Sequence, residues 1–268
     1  MPFYLDHAGI LKLEEFDRWP WLIHGFSGRS AGNLAPERNR KRFLESLGSR
    51  GMQLATLRQI HSSIVRVVGN GLEPGQRGDS LIASKPGVLV GVKIADCLPV
   101  LVVDPKLRVV AAIHAGWRGI LKRVVEKTVG EMRRHFGCAP SKLLAVIGPG
   151  IQACCFEVGP EVLAEFTSQF VDADRFCRAD PPNPAQTMIP RQVMTGNHAL
   201  MRPLDSDRGC VDLAEAAHRQ LLAAGLAQER IYDSGLCTAC NLNRFYSYRR
   251  EKDAAGRMMA VIGVRAER

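Results

Sequence analysis

Residues 88–119 decide the fold, and they read Val-Leu-Val-Gly-Val-Lys-Ile-Ala-Asp-Cys-Leu-Pro-Val-Leu-Val-Val-Asp-Pro-Lys-Leu-Arg-Val-Val-Ala-Ala-Ile-His-Ala-Gly-Trp-Arg-Gly. Two segments rich in β-branched residues flank residues 104–107, where Pro105 is typical of a turn. This pattern predicts a β-hairpin with strands over 98–103 and 108–113.

The register of this hairpin brings two reactive side chains together. If Val103 lies opposite Arg108, Cys97 lies opposite His114 at the open end of the hairpin. Opposed residues have Cβ atoms roughly 4.5–5.5 Å apart. A thiolate and an imidazole at that separation bind one metal ion, at about 2.3 Å and 2.0–2.1 Å, or form a nucleophile–base pair. Both interpretations are open at this point.

His61 is a candidate for a third ligand, because it lies at the junction of two strand-like segments. The alternative for this histidine is a hydrogen-bonded turn residue. A His/Cys/His set with one open position is typical of a catalytic zinc site. Asp96 precedes Cys97 and is expected either to orient a ligand histidine or to be a turn residue.

The rest of the chain alternates strand and helix patterns. Strands are predicted at 63–68, 88–94, 143–147, 245–249 and 258–264, and helices at 116–136, 160–170 and 212–224. This alternation predicts an α/β (α+β) sandwich with a mixed β-sheet and flanking helices. The length of 268 residues is compatible with a single domain over residues 1–268.

Charge and hydropathy exclude several classes of protein. The chain carries 36 Lys and Arg against 27 Asp and Glu, a net charge of +9. The basic residues are not interleaved with aromatic residues, which make up 6% of the chain, and this argues against nucleic-acid binding. The positive field instead favours small anions such as phosphate. Without an apolar run of membrane-spanning length or a signal-peptide pattern, we expect a cytoplasmic protein that does not enter a membrane.

Eight cysteines raise the question of further sites, at positions 97, 138, 154, 155, 177, 210, 237 and 240. Cys237 and Cys240 form a Cys-x-x-Cys pair, which is typical of half a zinc ribbon or of a redox pair. The sequence has no second Cys-x-x-Cys, and the adjacent Cys154 and Cys155 suit neither role well. We therefore expect these cysteines to be buried or pocket-lining thiols.

Several motifs together resemble one known family. They are Gln-Ile-His (59–61), Gly-Asp-Ser-Leu-Ile (78–82), Ala-Asp-Cys-Leu-Pro-Val (95–100), His-Ala-Gly-Trp-Arg-Gly (114–119), Ile-Gly-Pro-Gly-Ile (147–151), Cys-Phe-Glu-Val-Gly (155–159), Asp-Leu (212–213) and Phe-Tyr-Ser-Tyr-Arg-Arg (245–250). In order and spacing they resemble the YfiH-type laccase-domain proteins. That family is also called purine nucleoside phosphorylases or peptidoglycan editing factors.

The resemblance implies a zinc site formed by His61, Cys97 and His114, with Cys97, His114 and Asp96 as candidate catalytic residues. It implies phosphorolysis of adenosine, inosine, guanosine or methylthioadenosine, with adenosine deamination as a side activity. The expected partners are therefore a purine nucleoside and phosphate, and we expect a monomer or a weak homodimer. A copper-dependent polyphenol oxidase label is also attached to the family, so Cu²⁺ is an alternative ion.

Candidate residues for binding the substrate and phosphate are Arg58, Gln59, Arg118 and Arg249. Arginine suits bidentate contact with phosphate. Arg118 also lies at the start of the predicted helix over 116–136, whose first turn favours anions.

Three alternatives to a zinc phosphorylase follow from the same residues. In a cysteine hydrolase or amidase editing peptidoglycan precursors, Cys97 is the nucleophile, His114 its base, and Asp96 or Asp79 the orienting carboxylate. A multicopper oxidase needs many imidazoles, often in His-x-His pairs, whereas this chain has seven histidines and no such pair. A binding module that uses the +9 charge predicts steeply salt-dependent RNA or DNA binding without nucleoside turnover.

Overall fold

The structure is a computed structural model that describes residues 2–69, 75–178 and 208–266. Within these ranges, two six-stranded sheets stack face to face and helices cover their outer faces. The predicted α/β class with mixed sheets and flanking helices is confirmed, with two large sheets and a small third one in place of a single sheet. No helix in the described ranges is long and apolar enough to cross a membrane.

The strands in the described ranges are numbered in chain order. They are β1 (Phe3–Leu5), β2 (Leu11–Leu13), β3 (Leu22–Phe26), β4 (Gln53–Ala55), β5 (Val65–Val68), β6 (Ser80–Ala83), β7 (Val88–Ile94), β8 (Leu98–Asp104), β9 (Val109–Ala115), β10 (Leu144–Ile147), β11 (Glu157–Val158), β12 (Cys177–Arg178), β13 (Gly209–Val211), β14 (Ile231–Asp233) and β15 (Met258–Val264). The helices are α1 (Glu37–Ser46), α2 (Trp117–Leu121), α3 (Val124–Phe136), α4 (Pro160–Gln169), α5 (Leu213–Ala223) and α6 (Tyr248–Glu251).

The first sheet has the order β1-β2-β3-β15-β7-β4, and the second has the order β14-β10-β8-β9-β6-β5. Both are mixed, since β4–β7 in the first sheet and β5–β6 and β10–β14 in the second are parallel. A small third sheet has the order β11-β13-β12. The chain passes from the first large sheet to the second between β7 and β8, so residues 95–97 lie where the two sheets meet.

The β8–β9 hairpin forms, but its predicted register is wrong by two residues. Leu98 pairs with Ala115 and Pro99 with His114. Arg108 does not enter the strand because it stays in the turn with a left-handed φ of 53°. The Asp104 carboxylate stabilises that turn by accepting the N–H groups of the two residues at 106 and 107. An even shift preserves the face on which each side chain lies, so His114 and the residue preceding β8 still meet.

Two other predicted elements are corrected. The helix predicted over 116–136 is divided into α2 and α3 by Arg123, whose φ of 60° interrupts the helical backbone. The strand predicted over 245–249 is absent from the described structure. Instead, Ser247 caps the short helix α6 by accepting the Arg250 N–H. The strands predicted at 88–94 and 258–264 have the observed bounds, and the helices at 160–170 and 212–224 match α4 and α5 within about one residue.

The core consists of an inter-sheet layer with helical layers outside it. Side chains such as Val90 and Ile262 from the first sheet pack against Leu101 and Val110 from the second. Each fully buried aliphatic side chain contributes about 1.5–3 kcal/mol, so this layer holds the sheets in a fixed relation. Helices α2 to α5 pack on the outside of the second sheet and α1 on the outside of the first. The loops at the sheet edges are thereby placed on a rigid support.

Candidate active site

Three predicted ligands converge where the β7–β8 connection, the end of β9 and the loop before β5 meet. The ligand atoms of His61, Cys97 and His114 all lie within 4.8 Å of one another. The His61 Nε2 atom is 3.8 Å from the Cys97 Sγ atom. The two imidazole rings are 5.0 Å apart between centroids and inclined at 68°. The structure therefore brings together residues that are remote in sequence.

This geometry fits a tetrahedral metal ion. Zinc–sulfur and zinc–nitrogen bonds of about 2.3 Å and 2.0–2.1 Å place tetrahedral ligand atoms about 3.6 Å apart, close to the separation between His61 and Cys97. Gly116 permits this approach, since a Cβ atom there would lie 2.9 Å from the Cys97 Sγ atom and 3.0 Å from the His61 Cδ2 atom. A side chain at position 116 would thus occupy the space between two of the ligands.

Asp79 is the carboxylate that orients the site. It is fully buried, and its Oδ1 atom accepts a hydrogen bond of 2.9 Å from the His114 Nδ1 atom. This contact leaves the His114 Nε2 atom as the ring nitrogen available to an ion or a proton. Asp79 also accepts the Ser62 hydroxyl at 2.6 Å and the backbone N–H groups of His61 and Ser62. The carboxylate that orients the His114 ring is therefore Asp79 and not Asp96. From the sequence, Asp79 was a candidate for this role only in the hydrolase alternative.

The backbone of His61 is held in an uncommon conformation. Its φ of 55° lies in the left-handed region, which non-glycine residues adopt at a cost of order 1–3 kcal/mol. The hydrogen bond from its N–H group to Asp79 stabilises this conformation. Gln59 fixes the same loop, because its side-chain amide donates to the Lys93 carbonyl at 2.7 Å and accepts the Lys93 N–H at 2.8 Å. Both polar atoms of Gln59 thus bond the Lys93 backbone and hold the loop in position, and the contact of Gln59 with the substrate stays a prediction.

Asp96 joins three loops instead of contacting a histidine ring. Its carboxylate accepts the Thr238 hydroxyl at 2.6 Å and the Arg249 N–H at 2.6 Å. Its carbonyl oxygen accepts the Ile151 N–H at 2.7 Å. These bonds hold its backbone at a left-handed φ of 85°. Asp96 therefore fixes the position of the neighbouring Cys97.

The electrostatics of the site favour a charged Cys97–His114 pair. Burial by itself raises the pKa of the Cys97 thiol, but the His114 charge and hydrogen bonds from both histidines outweigh it and lower that pKa to about 6. Burial lowers the pKa of His114, but the Cys97 thiolate and Asp79 raise it to about 9. Burial likewise opposes ionisation of Asp79, yet the hydrogen bonds from His114 and Ser62 hold the pKa of Asp79 well below its usual range. The protonation states of Cys97, His114 and Asp79 therefore depend on one another.

The predicted phosphate-binding arginines occupy different settings. Arg118 is exposed at the start of α2, two residues after Gly116, and its guanidinium lies 4.1 Å from the Trp117 ring centroid. Arg58 is also exposed, and its backbone pairs with residue 77. Both terminal nitrogens of Arg249 donate to the Glu157 carbonyl at 2.9 Å. Among the contacts of the described residues, the guanidinium groups of Arg118 and Arg58 make no hydrogen bond, and each lies within four residues of a proposed ligand. Arg118 differs in lying at the start of a helix.

A second cluster was not foreseen from the sequence. The sulfur atoms of four cysteines, at positions 154, 155, 237 and 240, lie within 4.8 Å of one another. The sequence signal was present as a Cys-x-x-Cys pair and a Cys-Cys pair. Only the tertiary structure, through the bridge between Gly150 and Cys237, shows that the two pairs meet.

Comparison with known proteins places the chain in a family. Residues 33–265 match the family model described as multi-copper polyphenol oxidoreductase laccase. A match over most of the chain means that this protein belongs to that laccase-domain family. The resemblance to YfiH-type proteins that the motifs indicated is thereby confirmed.

Curated relatives carry the names of nucleoside-processing enzymes. The Deinococcus radiodurans protein named purine nucleoside phosphorylase is 35% identical over 261 residues, which cover 97% of this chain and 89% of that protein. Purine nucleoside phosphorylase YlmD of Geobacillus stearothermophilus is 34% identical over 241 residues, covering 85% and 78% of the two chains. A protein of an unknown prokaryotic organism, named adenosine deaminase RL5, is 32% identical over 179 residues, covering 67% of this chain and 59% of that protein.

Solved structures share the fold over nearly the whole chain. The Bacillus licheniformis hypothetical protein YfiH superposes with a TM-score of 0.81 at 24% identity, covering 98% of this chain and 99% of that one. The crystal structure of YlmD from Geobacillus stearothermophilus gives a TM-score of 0.78 at 26% identity, with coverage of 98% and 99%.

Proposed function

We propose that the protein is a zinc-dependent purine nucleoside phosphorylase with adenosine deaminase as a side activity. The observation that carries this proposal is the His61/Cys97/His114 cluster, whose His114 is oriented by the buried Asp79. The names of relatives that are about one-third identical supply the substrate class, a purine nucleoside and phosphate. The layer of side chains shared by the two large sheets also supports a single domain over residues 1–268.

The proposed metal ligands are the two imidazoles and the Cys97 thiolate. A set of three protein ligands leaves one position open, which is the arrangement of catalytic zinc sites. A zinc ion held there supplies Lewis-acid chemistry to a substrate oxygen or to water. The same nitrogen and sulfur donors also bind copper strongly, so Cu²⁺ remains the second ion to be tested.

The residues around the cluster have defined parts in the proposal. Asp79 keeps the Nδ1 proton of His114 in place and so fixes the ring that faces the substrate. Arg118 is proposed to bind the phosphate dianion through its exposed guanidinium, with Arg58 and Arg249 as further candidates. Asp96 positions Cys97 and the Arg249 backbone. We propose a catalytic role for Asp96 only if its carboxylate contacts the substrate.

A cysteine hydrolase or amidase is the second candidate function. One observation favours it: Cys97 contacts His114, and His114 in turn contacts Asp79. These three residues correspond to a nucleophile, its base and an orienting carboxylate. A thiolate beside an imidazolium is the activated state of such enzymes. In this alternative the free thiolate attacks an amide, as in peptidoglycan precursors, and a bound metal ion inhibits.

The two functions are separated by incubating the protein with adenosine, with and without phosphate, and resolving adenine, inosine and hypoxanthine. A zinc phosphorylase releases adenine only when phosphate is present, loses activity with a chelator and regains it with zinc. Inosine as the sole product supports the deaminase activity alone. Absence of every product from the zinc-loaded, folded protein contradicts the proposal, and amide hydrolysis that a chelator enhances supports the hydrolase.

A further inference from the structure

We propose that Cys154, Cys155, Cys237 and Cys240 bind a second metal ion, a zinc ion in a closed four-thiolate site. Their sulfur atoms lie within 4.8 Å of one another, and no described His, Asp or Glu side chain shares the cluster. Four thiolates and no open position are the donor set of a structural zinc site. This site is distinct from the three-ligand cluster and does not depend on the proposed phosphorylase activity.

The sulfur–sulfur distances match a metal site and do not match a disulfide. The Cys240 Sγ atom lies 3.5 Å from that of Cys154 and 3.3 Å from that of Cys155. Zinc–sulfur bonds of about 2.3 Å in a tetrahedron place the sulfur atoms about 3.8 Å apart. A disulfide requires an S–S distance of about 2.05 Å, and all four cysteines are free.

The backbone holds the two cysteine-bearing loops against each other before any ion binds. Residues 150 and 237 form a parallel bridge, and the Thr238 N–H donates to the Gly150 carbonyl at 3.1 Å. A turn at 153–155 directs both adjacent cysteines to one side, closed by N–H groups of Cys155 and Phe156 that donate to the Gln152 carbonyl. Side-chain ligands on two mutually fixed loops lose little entropy when an ion joins them.

Charge explains why a cation completes the cluster. Four thiols in contact cannot all ionise, because each thiolate opposes ionisation of its neighbours. A divalent cation would offset two of the four negative charges, so all four sulfur atoms could ligate as thiolates.

The second site is connected to the first through hydrogen bonds to Asp96. Thr238 lies between two of the four cysteines, and its hydroxyl donates to Asp96, the neighbour of Cys97. An ion bound by the four thiolates therefore fixes the segment that holds Asp96. Loss of the second ion is expected to loosen Cys97 without removing any ligand of the first site.

Metal analysis of the full chain tests the site. Protein purified under reducing conditions, loaded with zinc and dialysed is expected to hold two zinc ions per chain. The Cys240→Ser variant removes the most exposed ligand and is expected to hold one. Cys177→Ser is the matched control, because Cys177 belongs to neither cluster and should leave two ions. Cobalt loading of the His61→Ala/Cys97→Ser variant should still give the absorption of a tetrahedral four-sulfur site.

A wild-type chain that holds one zinc ion, lost in Cys97→Ser but retained in Cys240→Ser, would overturn the proposal. If Cys240→Ser does not fold, alkylation of the wild-type protein decides. Zinc should protect all four cysteines of the cluster relative to the chelated protein. Labelling of these cysteines at equal rates with and without zinc, or a disulfide among them in the zinc-loaded reduced protein, also contradicts the site.

Discussion

The Asp79 carboxylate lies 2.9 Å from the His114 Nδ1 atom and also accepts the backbone N–H groups of residues 61 and 62. One buried side chain therefore sets both the ring orientation of one proposed ligand and the loop that carries another. Mutation of a carboxylate that orients a metal-binding histidine typically lowers metal affinity or activity by about 10–100-fold.

Asp79→Asn is expected to weaken zinc binding by about 10–100-fold, because the amide neither balances the charge of His114 nor accepts all the loop N–H groups. Competition with a chromogenic chelator measures the change in dissociation constant. Asp172→Asn, at a half-buried ion pair with Arg219, is the matched control and should bind zinc like the wild type. Equal zinc affinities of the two variants would show that Asp79 does not support the metal ligands.

Gly116→Ala is expected to abolish metal binding at the first site while the fold is retained, since the new Cβ atom meets the Cys97 sulfur at 2.9 Å. Gly130→Ala on α3 is the control, because no atom lies within 4 Å of a Cβ there. That control should stabilise the protein by up to about 1 kcal/mol through helix propensity. Zinc content and thermal unfolding of both variants check these outcomes, and a zinc-replete Gly116→Ala protein would contradict the geometry.

The metal-free protein should contain an ionised Cys97 at neutral pH, because the neighbouring His114 charge lowers the pKa of Cys97 to about 6. The rate of Cys97 alkylation should rise with pH around 6 and level off above it. His114→Gln removes the positive charge and should move this midpoint upward toward the ordinary thiol range. A midpoint that is the same in both proteins would show that His114 does not stabilise the thiolate.

Because the His24 ring is buried, the folded protein is expected to lose stability in acid. The His24 Nε2 atom accepts the Leu13 N–H at 2.9 Å, and burial lowers the pKa of His24 from 6.5 to about 3. Because the unfolded chain binds a proton below about pH 6.5 and the folded chain does not, stability present above that pH is lost as pH falls toward 3. The loss is on the order of 4 kcal/mol for this group.

Denaturant unfolding of the wild type and His24→Gln between pH 7 and pH 3 isolates the contribution of His24. The amide oxygen of glutamine can accept the Leu13 N–H but does not titrate, so the variant should lose less stability over this range. Parallel pH dependences in the two proteins would show that His24 is protonated in the folded state.

Local patterns predicted most of the sheet framework and the meeting of Cys97 with His114, whereas the family resemblance implied His61 as the third ligand. The strands around 88–94, 98–104, 109–115 and 258–264 are long apolar runs, and such runs remain strands because both of their faces are buried. The predicted meeting of Cys97 and His114 held despite an incorrect hairpin register, because the error was an even number of residues.

Contacts between distant segments explain what the sequence did not predict. Residues 245–249 read as a strand, but the Ser247 cap and the bond from Arg249 to Asp96 select a short helix instead. The four-cysteine cluster depends on the pairing of residues 150 and 237, which no local pattern encodes. The orienting role of Asp79 likewise depends on β6 lying beside β9.

Anomalous diffraction at the zinc absorption edge, from crystals of the zinc-loaded protein, locates the ion relative to His61, Cys97 and His114. A peak is expected about 2.0–2.3 Å from one nitrogen each of His61 and His114 and from the Cys97 sulfur, and it should be absent in Cys97→Ser. A fully loaded protein with no peak at these three atoms, or a peak unchanged in Cys97→Ser, would contradict the proposed zinc site.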